Sequence, residues 1–152
     1  MPIGSLVGQH RLVDLFRRMI ERQCVPHAVL FCGPEGSGKA AAAISFARAL
    51  QCSCEDLRRV PCGVCDNCHR SIGLSQPDLA VLFPFAGANP KSPELAERRR
   101  RIEEAVKDPY GYELPGPSSM IHIEPVRELI RMFTYGSYQG GWRTAVVLHA
   151  DR

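Results

Sequence analysis

The sequence predicts an α/β fold: a parallel-sheet P-loop nucleotide-binding core, truncated, with a four-cysteine zinc module inserted in it. Three observations carry this reading. A glycine-rich loop, Gly33-Pro34-Glu35-Gly36-Ser37-Gly38-Lys39, stands between a short apolar run and an alanine-rich helical stretch. Short apolar runs alternate with segments of helical periodicity, the order expected of a parallel sheet with right-handed crossovers. Four cysteines spaced C-x9-C-x2-C-x2-C follow the helix that the loop opens.

The elements follow in order. Residues 9 to 23 read as a helix with Leu12, Leu15, Phe16, Met19 and Ile20 on one face, broken by Val25 and Pro26. Ala28-Val29-Leu30-Phe31-Cys32 reads as a fully buried parallel strand. The glycine turn comes next, then a helix over 39–51 with Ile44, Ala47 and Leu50 inward. Residues 52 to 68 hold five cysteines and little apolar content. Asp78 to Phe83 reads as a second buried strand. The stretch 84–118 is an insertion rich in proline, with a charged helix from Glu94 to Lys107. Residues 121–123 read as a short extended piece and Glu124 to Phe133 as a helix with Val126, Leu129, Ile130 and Phe133 inward. A glycine-rich loop, Gly136 to Trp142, leads to a third buried strand, Ala145 to Leu148. A buried parallel strand needs neighbours and a crossover, so the core is expected to be incomplete.

Bulk properties bound the class. The 152 residues suffice for one α/β domain. A net charge of +3 is mild and neither demands nor excludes a nucleic-acid partner. No apolar run is long enough to span a membrane, and no secretory signal is read at the N-terminus. Seven cysteines without such a signal fit a reducing cytoplasm, where clustered thiols hold metal more often than they form disulfides.

The loop carries the first chemistry. Its glycines let backbone N–H groups point at phosphate oxygens, Lys39 supplies a charge for the β and γ phosphates, and the helix N-terminus adds its positive end. The structural alternative is a plain glycine turn. The residue after the lysine is Ala40, where a hydroxyl ordinarily binds Mg²⁺. ADP or ATP can therefore sit in the loop, while Mg²⁺ loses a ligand. The third strand ends in Leu148-His149-Ala150-Asp151 instead of an acidic pair. Asp151 reads as a turn cap before it reads as a displaced metal ligand, and His149 as structural. The two defects together predict weak or absent ATP hydrolysis. Val7-Gly8-Gln9 is placed to wall an adenine.

Cys52, Cys62, Cys65 and Cys68 carry the second. A C-x2-C pair wraps two thiolates round a tetrahedral ion, and two more thiolates close the coordination, so the expected zinc is structural. Cys54 competes with Cys52 for the first position, and His69 with Cys68. Cys24 and Cys32 read as core residues. Arg98 to Arg101 invites a nucleic-acid reading, against a solvated helix face with Glu97–Arg101 and Glu103–Lys107 pairs. The tyrosines at 110, 112, 135 and 138 and Trp142 read as packing at the sheet edge before base stacking.

The ordered set Val7-Gly8-Gln9, His27 to Phe31 leading into Gly33–Lys39, Ala49 to Cys52, Pro61-Cys62-Gly63-Val64-Cys65-Asp66-Asn67-Cys68, Pro77-Asp78 and Ile123 to Leu129 resembles the bacterial clamp-loader subunits of the AAA+ class. The resemblance covers nearly all the chain except 84–118. Two branches share it: the ATP-hydrolysing gamma/tau subunit of DNA polymerase III, and the delta-prime subunit, commonly a poor ATPase. Ala40 and the missing acidic pair favour delta-prime, as does Ala150-Asp151-Arg152. The resemblance implies a stator that works with gamma/tau and delta subunits to load the sliding clamp on primed DNA. It also implies an incomplete AAA+ domain over 1–152, without the lid, the collar or the arginine finger.

Overall fold

The computed structural model describes residues 6–86, 94–112 and 116–151. Helix α1 runs His10–Glu21, α2 Lys39–Gln51 and α3 Asp66–Ile72; strand β1 runs Leu79–Leu82; helices α4 and α5 run Glu94–Lys107 and Ile123–Thr134; and β2 runs Thr144–Val147. Residues 1–5, residues 87–93 and 113–115 of the 84–118 insertion, and Arg152 lie outside the described residues.

Strands β1 and β2 pair in parallel, with Leu79 opposite Thr144 and Leu82 opposite Val147. The ladder continues past both ends through Thr144 N–H to Asp78 O and Leu148 N–H to Leu82 O, each 2.9 Å. Helix α2 is the hub. Its Ile44 and Ala47 pack on β1, β2 and the inner face of α4, where Ile102, Ala105 and Val106 are buried. Its opposite side, Ala41, Ala42, Phe46 and Ala49, packs on Val13 and Phe16 of α1 and on Val60. Phe16 and Phe46 stack with ring centroids 4.1 Å apart. A helix buried on both sides needs small residues to admit its neighbours closely, which accounts for its alanines. At its end, Gln51 donates to Asp78 O, Trp142 O and the Thr144 hydroxyl, tying α2 to the root of the sheet.

Several expectations are corrected. The run Ala28–Cys32 forms no strand: Leu30 is 82% and Val29 41% exposed, and Cys32, like Cys24, is exposed and not core. A strand needs a hydrogen-bonded neighbour, and the sheet over the described residues has two strands only. Ala28–Phe31 instead faces β2 across a cleft of about 1130 Å³. Helix α5 forms as expected, but Ile130 and Phe133 are exposed and face the same cleft. In α1 Leu15 is exposed and Val13 takes its place inside. The extended piece near 121–123 shortens to a bridge between Met120 and Phe85, because α5 starts at Ile123.

The charged insertion helix has a buried side, so it belongs to the core. Its outer side carries the arginine run, and there the solvated reading holds. Glu97 pairs with Arg101 at 2.9 Å and with Arg100 at 2.7 Å; Glu103 pairs with Arg99 at 3.2 Å and with Lys107 at 3.8 Å. Hydrogen bonds from Arg100, then Arg101, hold the Glu97 carboxyl at about 2. Arg98 lies over the Phe85 ring, 5.5 Å from its centroid.

Candidate metal centre and phosphate loop

The four cysteines singled out by spacing converge. The sulfurs of Cys52, Cys62, Cys65 and Cys68 all lie within 4.8 Å of one another. Cys52 caps the C-terminus of α2, Cys65 caps the N-terminus of α3, and Cys68 lies inside α3, so one point pins two helix ends. Gly63, at φ +77°, makes the knuckle turn that no side chain-bearing residue adopts easily. The Cys62 N–H donates to Cys52 Sγ and the Cys68 N–H to Cys65 Sγ, both at 3.4 Å.

Zinc fits this arrangement. A tetrahedral ion with Zn–S bonds of about 2.3 Å sets sulfurs about 3.8 Å apart. Cys52–Cys65 and Cys62–Cys68, two opposite edges of the tetrahedron, are each 3.9 Å. Those separations are far beyond a disulfide bond of about 2.05 Å. Cys54 stands outside the group, its thiol directed at the Asp56 carbonyl at 3.9 Å, and the exposed His69 is not in it either. Burial pushes the Cys52 and Cys68 thiols up. Burial also raises Cys65, but hydrogen bonds from Ser53 and then from the Cys68 N–H outweigh it and hold this thiol at about 6. The Val64 N–H, then that of Cys65, lowers Cys62. Four protein ligands leave no open position, so an ion here holds structure and presents no reactive site.

The phosphate loop opens α2 at its other end. Gly33, Gly36 and Gly38 have φ of +149°, +76° and +82°. Lys39 is the first residue of α2 and Ala40 the second; Pro34, Glu35 and Ser37 complete the turn. The Lys39 ammonium folds back to donate to Gly33 O at 2.9 Å and Pro34 O at 2.7 Å. The N-terminal segment is brought to the loop by Gln9, whose Nε2 donates to Ser37 O at 3.5 Å. Val7 is 78% exposed, and its N–H donates to the Tyr110 hydroxyl at 3.3 Å. The Tyr110 ring in turn covers Gly38, where a Cβ would come within 3.3 Å of it.

At the end of β2 stands His149, at φ +51°. Its Nε2 is 2.8 Å from the Tyr112 hydroxyl, and its ring meets Phe83 edge-on at 5.9 Å. Asp151 lies in an exposed turn. Sequence reasoning did not find Tyr110 and Tyr112 at these posts, because aromatic residues in a proline-rich insertion carry no positional signal. It also missed Arg48, an arginine buried on the alanine-rich helix.

Comparison with known proteins bears on this geometry. The family described as DNA polymerase III, delta subunit, matches residues 8–152. The chain is 40% identical over 64 residues to Protein STICHEL-like 4 of Arabidopsis thaliana, covering 42% of this chain and 6% of that protein. It is 36% identical over 65 residues to DNA polymerase III subunit gamma/tau of Mycobacterium tuberculosis, covering 43% of this chain and 11% of that one. The same identity and length hold for DNA polymerase III subunit tau of Escherichia coli, at 43% and 10%. The chain thus matches a small part of the length of these relatives. No solved structure matches. No described helix is long and apolar enough to cross a membrane.

Proposed function

The chain belongs to the DNA polymerase III, delta subunit, family, and on that footing we propose that it is a delta-prime-like component of the clamp loader, with a nucleotide loop that does not hydrolyse ATP. In this role it acts in the cytoplasm as a stator beside gamma/tau and delta subunits while the sliding clamp is loaded on primed DNA. The observation that carries this reading is the pairing of two defects at opposite ends of one site. Ala40 follows the loop lysine and offers a methyl where a Mg²⁺ ligand is needed. His149 follows β2 by two residues and is engaged with Tyr112, where an acidic pair would organise metal and water. Gly33 to Ala40 would cradle the phosphates of ADP or ATP, and Val7 would border the base.

A gamma/tau-type motor is the second reading, supported by the identity to gamma/tau chains. It requires a working Mg²⁺ site, and the same two positions speak against it. We also read the core as an incomplete AAA+ domain, the cysteine module at 52–68 and the 84–118 insertion lying within it. The cleft between Ala28–Phe31 and β2 supports this. It leaves Leu30, Ile130, Phe133 and Val147 exposed together, apolar surface of the kind that a neighbouring element covers. Residues of α2 and α5 line it as well.

Calorimetric titration with ADP, with and without Mg²⁺, tests the site. Affinity that is unchanged by Mg²⁺ is the expected result, with Mg²⁺ dependence appearing in Ala40→Thr. Strong Mg²⁺ dependence in the unaltered chain would return the reading to the motor.

A further inference from the structure

Arg48 sits in the third turn of α2 and is 3% exposed. No other lysine or arginine is buried among the described residues. Its Nε and Nη2 have no hydrogen-bond partner among those residues. A guanidinium cannot shed its proton to escape such a place, and a buried unpaired cation is strongly destabilising. Cys52, the C-cap of α2, follows Arg48 by four residues, one helical turn, and its sulfur stands in the same cluster as that of Cys68. As neutral thiols these groups offer it little. As thiolates on a divalent ion, four of them leave a net double negative charge. The nearby arginines do not share this duty: Arg58 and Arg59 are exposed, and the exposed Arg70 pairs with Asn67.

We propose that the Arg48 guanidinium is the internal counterion of the metal-bound tetrathiolate, so that metal binding and the settling of α2 are one event. The proposal rests on reading Cys52, Cys62, Cys65 and Cys68 as a metal site. It makes Arg48 a positioning residue: it stands one helical turn from Cys52, and its unpaired Nε and Nη2 gain an acceptor only when the sulfurs are anionic. It also gives the module a role in the rest of the fold. Helix α2 carries the phosphate loop at one end and Cys52 at the other, and Arg48 lies on the span between them. The charge state of the sulfur cluster is thereby felt by the helix that presents Lys39.

The test measures zinc affinity by chelator competition and the thermal midpoint with and without metal, for the unaltered chain and for Arg48→Met and Arg48→Lys. Groups that support metal ligands typically change affinity ten- to a hundredfold when removed. Arg48→Met should therefore weaken zinc by that factor, and Arg48→Lys by less. The midpoint should move in opposite senses. With zinc the methionine variant should melt lower, whereas without zinc it should melt no lower than the unaltered chain, since an unpaired buried charge has gone. Equal lowering in both states means that Arg48 is only packing, and unchanged zinc affinity also overturns the proposal. Should the methionine variant not fold, the lysine variant and the thiolate-to-cobalt absorption of the Co²⁺-loaded chain decide. A band and affinity identical to those of the unaltered chain would overturn it. A chain that takes up no zinc at all sinks the metal site itself, whereas stoichiometric zinc with indifferent variants sinks only the role of Arg48.

Discussion

Asp78, at the root of β1, is fully buried and accepts from five donors: the Ser137 hydroxyl, the N–H groups of Tyr138 and Gln139, and Nε and Nη2 of Arg143. Arg143 passes the tie on to the carbonyls of Met132 and Tyr135 at the end of α5. One carboxylate thus fixes the glycine-rich loop before β2. Burial alone would raise its pKa, but the donors, led by the Tyr138 and Gln139 N–H groups, outweigh burial and lower it. The sign follows. The stabilisation is complete above the unfolded carboxylate value of about 3.9 and drains as pH falls through the lower folded value. Asp78→Ala should cost about 3–5 kcal/mol in urea unfolding at neutral pH, because Arg143 loses its anionic partner and the loop N–H groups their acceptor. Asp78→Asn should flatten the fall of stability below about pH 4 relative to the unaltered chain. An unchanged acid slope would show that the anion is not what the loop holds. Arg48 is the complementary case: its donors lack partners among the described residues until the sulfurs become anionic.

Among the elements, Ala28–Cys32 is the most instructive. Its composition is that of a buried strand, yet it is exposed. Leu30→Ser should accordingly change stability by no more than about 0.5 kcal/mol; in a packed strand the same change would cost about 2–5 kcal/mol by the measure of core truncations. Urea unfolding of this single variant separates the two. Periodicity found α1, α2 and α5, the charged composition found α4, and apolar runs located both paired strands to within a residue, because each has a face that some neighbour covers or a register that a partner fixes. It overestimated burial at Leu15, Ile130 and Phe133. An apolar stripe records which side seeks a partner, not whether the partner is there. The cysteine spacing was legible because four ligands on one ion impose their own geometry. Arg48 and Tyr110 were not, since each depends on a long-range approach that no local pattern encodes.

At the scale of the molecule, α2 joins two sites that look separate in sequence. Its first residue, Lys39, closes the phosphate loop, and its last, Gln51, adjoins the sulfur cluster and binds the helix to the sheet. Removing metal should therefore be felt well outside the cysteines. Treatment with a chelator should release one zinc per chain and lower the thermal midpoint, and Cys68→Ser should reproduce that loss without chelator. A chain whose melting is indifferent to chelator would place its stability in the two apolar clusters alone. The open cleft beside β2 exposes Leu30, Val147, Ile130 and Phe133 together, a contiguous apolar surface of the kind that marks a contact site. Family membership, the thiol cluster and Ala40 in the loop are what support the proposed account, in which this clamp-loader component would hold shape rather than spend ATP. The most direct test is steady-state ATP turnover by the zinc-loaded chain in Mg²⁺, beside its Lys39→Ala variant. The account predicts the same background rate for both, whereas Mg²⁺-dependent turnover that disappears with Lys39 would contradict it.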